Sequence, residues 1–153
     1  MPTAYASLNP QYPSELQTVQ ATLFNAGSEV DAKVYTVPNL ALVTTTDATP
    51  TAVMTFAPVD LTTSLVTITT QAIKSDGTVA ASYVNVVTMR RSGATTTQVG
   101  STTALVTHED TGSMACTVAA SGANIVVTGT GVAATTIRWS SSATVRDITY
   151  AGL

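Results

Sequence analysis

The sequence is short of most of what catalysis, nucleic-acid binding or disulfide bridging requires. One cysteine, Cys116, and one histidine, His108, are present in 153 residues. A single thiol forms no intrachain disulfide, which excludes a small secreted scaffold held by bridges. One His and one distant Cys supply too few ligands for a usual zinc site. Charged residues make up 10% of the chain, and six Lys and Arg against nine Asp and Glu leave a net charge of −3. A nucleic-acid surface needs clustered cations that displace counterions from phosphate. The only adjacent basic pair is Arg90-Arg91, so neither a nucleic acid nor an anionic membrane is expected as a partner. No run approaches the roughly 18 apolar residues of a membrane span. Residues 1–10 lack the cationic start and apolar core of a signal peptide. A soluble chain made in a reducing cytoplasm is expected.

Large side chains are scarce as well: two Phe, five Tyr and one Trp. The hydrophobic share of 44% comes mostly from Ala and Val, which bury little area each at roughly 25 cal/mol per Å². The core should therefore be thin, and contacts between copies are expected to add stability, making the chain a homo-oligomer. What the chain has in abundance is threonine, about one residue in five. Thr and Val are branched at Cβ and fit a pleated strand better than a helix. An all-β fold follows.

From Asp47 onward the pattern is regular. Thr51 to Phe56 reads as a strand closed by Pro58, and Leu65 to Ile73 as a second, with Val66, Ile68 and Ala72 on one face. Ser75-Asp76-Gly77-Thr78 then supplies Asp-Gly, a hairpin signal whose two central residues are expected at positive φ. Val79 to Arg91 returns with Tyr83, Asn85, Val87 and Met89 on one face. Ser92-Gly93-Ala94 makes the next turn, followed by two short strands, Thr95 to Val99 and Thr103 to Thr107. His108-Glu109-Asp110-Thr111-Gly112 reads as a polar loop. Met114 to Ala119 and Asn124 to Gly129 form two strands around Ser121-Gly122-Ala123. Thr135 to Ile148 is the last, with Ile137, Trp139, Ala143 and Val145 on one face. Six to eight strands with turns every 8–15 residues predict an antiparallel β-sandwich, jelly-roll-like or Ig-like.

Residues 1–45 differ. Pro2, Pro10, Pro13 and Pro38 interrupt regular structure. Ser14-Glu15-Leu16-Gln17 has capping-box spacing, with Leu16, Val19 and Leu23 on one possible helical face, yet Thr18, Val19 and Thr22 also suit a strand. We read 1–45 as an extended N-terminal arm or attachment segment and 46–153 as the sandwich domain. Tyr5, Tyr12 and Tyr35 are candidate interaction residues in the arm, because Tyr is enriched at interfaces. Arg90 and Arg91 are candidates on the long strand, and with Arg138 and Arg146 they could form a basic stripe.

Catalytic chemistry has little to work with. His108 beside Glu109 and Asp110 could act as a base or ligand, but a solvated turn is the plainer account. Cys116 sits among Ala115, Thr117 and Val118 as a small apolar residue would. Asp76, Glu109 and Asp110 could meet to hold calcium; isolated turn acids are commoner. Gly129-Thr130-Gly131 reads as a strand turn, not a phosphate loop. No enzyme activity and no cofactor or metal are expected.

Several words of this sequence resemble a β-domain of tailed-bacteriophage virion structural proteins. They are Ser75-Asp76-Gly77-Thr78, Arg90-Arg91 before Ser92-Gly93, Gln98 to Thr103, His108-Glu109-Asp110, Val127-Thr128-Gly129 and Thr135-Thr136-Ile137-Arg138-Trp139. The resemblance spans about Asp47 to Ile148. It departs after His108-Glu109-Asp110, where similar sequences carry an aromatic residue and this chain has Met114. It implies a structural protein of the virion, assembled in the host cytoplasm, whose partners are the major capsid protein or other virion proteins. No repeat, coiled coil or larger receptor-binding region is visible, which favours a capsid decoration (cement) protein, bound to the outer head surface through its N-terminal arm and sheet edges, over a tail fibre, a tail or neck adaptor, or a glycan-binding module.

Overall fold

The computed structural model describes residues 21–25, 28–38 and 41–151 of the chain. The chain is all β among these residues and forms two antiparallel sheets packed as a β-sandwich. Ten strands follow in order: β1 (Ala21–Asn25), β2 (Ser28–Val37), β3 (Val43–Thr45), β4 (Thr51–Phe56), β5 (Thr62–Lys74), β6 (Ala80–Ser92), β7 (Thr95–Glu109), β8 (Ala115–Ser121), β9 (Asn124–Thr130) and β10 (Ile137–Ala151). The sheets are unequal. The larger runs β1-β2-β10-β5-β6-β7, with β3 also on β10, and the smaller is β4-β9-β8.

Period-2 patterning builds the large sheet. Val66, Ile68, Ala72, Tyr83, Val87, Met89, Trp139, Ala143 and Val145 are all buried, on the faces read from the sequence. Directly paired residues of an antiparallel sheet share a face, so these side chains form one inner surface. The small sheet covers it with Val53, Met54, Val118, Ile125 and Val127.

Three sequence expectations are corrected. In the Ser75–Thr78 turn only Gly77 takes positive φ, at 74°. Asp76 is not at positive φ, because five residues rather than two connect β5 to β6, and its carboxylate accepts hydrogen bonds from the Thr78 N–H (3.0 Å) and hydroxyl (2.7 Å). The two short strands at 95–107 are one strand, β7, which also includes His108 and Glu109, expected in a loop. Two register shifts opposite Val84/Asn85 and Val86/Thr88 absorb the interruption, with Gly100 at φ 74°; the long β6 offers Ala81 and Ser82 as partners for Glu109 and His108. The strand count exceeds the expected six to eight because β1, β2 and β3 lie in the segment expected to be an arm. Within it, β2 pairs with β10 from Ala151↔Glu29 to Ala143↔Val37, and β3 pairs with Ile137 to Trp139. Residues 1–20 lie outside the described residues, and with them Ser14 to Gln17 and Val19 of the possible helix; Leu23, expected on the same helical face, lies in β1.

The sheets meet at Trp139. Its ring stacks on Tyr83 at 6.4 Å between centroids, and its indole N–H donates to Thr45 Oγ1 at 3.0 Å. Gly129 of β9 faces the ring: a Cβ there would lie 2.8 Å from the indole Cδ2. Gly131 likewise leaves room for Thr45, whose hydroxyl would collide with any added Cβ. At another corner Thr96 joins β7 to the β8–β9 turn, donating its N–H to the Gly122 carbonyl and its hydroxyl to the Ala123 carbonyl, both at 2.7 Å.

Gly129→Ala should therefore push the indole off its seat and lower stability by about 1–3 kcal/mol, the usual cost of overpacking a core. Gly112→Ala, where a Cβ meets nothing within 4 Å, serves as the control. Urea unfolding followed by Trp139 fluorescence measures both, and equal midpoints for the two variants would refute this account of the core.

Candidate functional site

Whether the sequence-predicted residues form a site depends on which face each occupies. Alternation places His108 and Glu109 on opposite faces of β7, so they are not a joint acid–base pair. His108 is exposed opposite Ser82. A shallow groove of about 310 Å³ touches Ser82, His108, Glu109 and Asp110. Asp110 accepts the Ala80 N–H at 2.8 Å. Asp76 pairs with Lys74 at 2.8 Å, and this contact with the hydrogen bonds from Thr78 holds its carboxyl well below the usual range. The three acids considered for calcium are thus not gathered, and no group of three or more His, Cys, Asp or Glu placed to hold a metal occurs among the described residues.

Cys116 is half-buried on β8 against the core. Burial pushes its thiol pKa up, and hydrogen bonding from Thr70 and from Asn85, whose Nδ2 lies 3.8 Å from the sulfur, offsets this only in part. A nucleophilic cysteine has the opposite environment, one that favours thiolate.

The candidate interaction residues separate. Tyr5 and Tyr12 lie outside the described residues. Tyr35 is half-buried on the inner side of β2, close to the buried Asp147 of β10. Arg91 is turned toward the loops, donating from Nε to the Gly93 carbonyl at 3.0 Å and from Nη1 to the Pro58 carbonyl. Arg90 points the other way, onto the outer face of the large sheet.

That outer face is the feature sequence reasoning only partly reached. Among the described residues no second layer covers it. The register places Arg90 opposite Thr63, which is opposite Ile148; Arg146 lies opposite both Leu65 and Val34; Arg138 lies opposite Ile73. The apolar members are exposed: Val34 by 48%, Leu65 by 43%, Ile73 by 49% and Ile148 by 58%. A groove of about 430 Å³ at one end is lined by Leu61, Thr63, Arg90 and Ile148. A second, of about 440 Å³ at the other end, is lined by Leu42, Ile73, Ser82 and Arg138. Of the four arginines expected to form a basic stripe, Arg90, Arg138 and Arg146 share this face while Arg91 does not, and they stand apart on it, Arg138 opposite Ile73 and Arg146 opposite Leu65. The alternation around Trp139 and Met89 could have shown this, because each of the three arginines is out of phase with the core residues of its strand.

No family model matches this chain, and no curated protein matches it. Among solved structures it is similar to the crystal structure of the Acinetobacter baumannii phage AM24 tailspike protein, with a TM-score of 0.37 and 13% identity. That match covers 82% of this chain and spans 27% of the tailspike chain.

The half-buried Tyr35 and the buried Tyr83 generate a pH dependence. Burial first, and then the Asp147 carboxylate, raises the Tyr35 pKa above its ordinary 10.0. Burial first, and then the nearby Glu109, does the same for Tyr83. The folded chain keeps phenolic protons that the unfolded chain loses above about pH 10. This stabilisation is complete below the unfolded value and is lost as pH rises toward the folded values. Denaturation midpoints should drop between about pH 9 and pH 11, and a Tyr35→Phe, Tyr83→Phe double variant should drop less. An equal drop in both proteins would show that other groups control alkaline unfolding.

Proposed function

We propose that this chain is a non-catalytic structural protein of a bacteriophage particle, and within the particle a capsid decoration protein bound to the major capsid protein. The observation that carries this reading is the sequence resemblance between Asp47 and Ile148. Its words fall on residues that define the fold: the Ser75–Thr78 hairpin, the turn after Arg90-Arg91, and Gly129 facing Trp139. A module of this kind carries its role in surfaces, not in a cleft with paired acid and base. The sites that catalysis would use support the same reading, since His108 is exposed and apart from Glu109, Asp110 is held by a backbone amide, and Cys116 is biased toward the thiol. Decoration over a tail role is favoured by a broad exposed sheet face suited to lying on a lattice.

Attachment is assigned to the start of the chain together with sheet surfaces. Removing residues 2–20 takes away no described strand, whereas a cut after residue 40 would also strip β2 from β10. The shorter deletion should abolish particle binding and leave cooperative unfolding unchanged. Cryo-electron microscopy of the intact particle should show copies repeated over the capsid lattice. Density confined to the single tail vertex would sink the decoration reading, and absence of the chain from purified particles by mass spectrometry would sink the virion reading.

A further inference from the structure

The outer face of the large sheet combines exposed aliphatic side chains with cations. Among the described side chains at the outward positions of β2 from Ala32, of β3, β5 and β6, of β10 to Ile148 and of β7 through His108 there is no Asp or Glu. Three of the chain's six basic residues, Arg90, Arg138 and Arg146, stand on this face, although the chain as a whole is at −3. None of the three forms an ion pair among the described residues. The bordering carboxylates are occupied: Asp60 accepts the Gly93 and Leu61 N–H groups, Asp110 the Ala80 N–H, and Asp76 the Lys74 ammonium. Arg90 and Arg138 each sit beside an aliphatic groove, and the two grooves lie at opposite ends of β5.

Size is adequate for a stable contact. Five strands at about 4.8 Å spacing and ten residues of rise along β5, at about 3.3 Å each, give a face of about 800 Å². A standard interface buries about that much on each partner. Charge then selects the occupant. Two copies meeting through the same face would set arginine-bearing rows against each other, an arrangement that like charges oppose. A nucleic acid calls for a continuous basic track, whereas here the three arginines are separated by Leu65, Ile73 and Ile148.

We propose that this face docks on an acidic protein surface of the virion, with carboxylates of the partner reaching Arg90, Arg138 and Arg146 and its apolar side chains covering Leu65, Ile73 and Ile148. The inference rests on the virion reading above and names the partner's chemistry. Arginine suits it because the guanidinium accepts a carboxylate in a bidentate fork while its stem packs on aliphatic neighbours.

The test uses particles of the encoding phage grown without this chain, to which purified protein is added back. Arg90→Glu, Arg138→Glu and Arg146→Glu combined should weaken binding about tenfold or more, and the matching Arg→Lys set should keep most of it with a steeper loss in salt. All three side chains are exposed, so circular dichroism and melting should match wild type for both sets; if the Glu set unfolds, Arg146→Glu alone, at the centre of the face, replaces it and should weaken binding severalfold. Undiminished binding by a folded Glu variant overturns the docking proposal and leaves the virion reading standing. Failure of wild-type protein to bind, with none found in native particles, overturns the virion reading itself. Three further outcomes also overturn the proposal: binding removed by nuclease, a wild-type dimer dispersed by the Glu set in sedimentation, or arginine labelling that rises only when residues 2–20 are deleted.

Discussion

Where the two sheets come together, the indole of Trp139 lies directly against the bare Cα of Gly129, and most of the interior is arranged around that approach. The ring fills the space that a core poor in aromatics would otherwise leave open. Its position is held on three sides: by the stacked Tyr83, by the hydrogen bond to Thr45, and by the backbone of β9. Thr45 in turn fits only because Gly131 has no side chain. A short strand from the early chain, a turn from the late chain and the longest strands of the sheet are thus tied to one side chain.

The rest of the interior shows how a threonine-rich sequence makes a core at all. Buried hydroxyls are tolerated when they find partners. Thr70 and Ser141 face each other across β5 and β10 at 2.9 Å, and Thr62 donates to the Val59 carbonyl at 2.6 Å. Each such bond adds only about 1 kcal/mol net, but an unpaired buried hydroxyl costs as much or more. The Thr70–Ser141 pair therefore matters chiefly for register, because a one-residue slip of β10 against β5 would separate its members.

Strand faces were legible in the sequence because period 2 is a local signal, and Val66, Ile68, Tyr83, Met89 and Trp139 point inward as the alternation required. The Gly122 turn was legible for the same local reason. What the alternation does not carry is pairing between distant segments. Pro10, Pro13 and Pro38 suggest a broken arm, and nothing near Tyr35 indicates that β10, far later in the chain, will take β2 as a neighbour. Gly100 and Ser101 look like a break between strands; the bulges that carry β7 through them depend on the unbroken length of β6. For the candidate surface, the outward phase of Arg90, Arg138 and Arg146 could be read from their neighbours. Its exposure could not, because that depends on the small sheet covering one side of the large sheet while no described residue covers the other.

The irregular course of β7 has a consequence for crowding. As the last strand of its sheet it presents a row of backbone groups that could recruit an extended segment from another chain. Its start is held by Thr96 to the Gly122-Ala123 turn. Farther on, two bulges and a left-handed Gly100 break the spacing of its free amides and carbonyls, which makes it a poor template for a further strand. On that side the sheet is protected from growing into fibrils, so chains held at high local density can touch through side chains without fusing through their backbones.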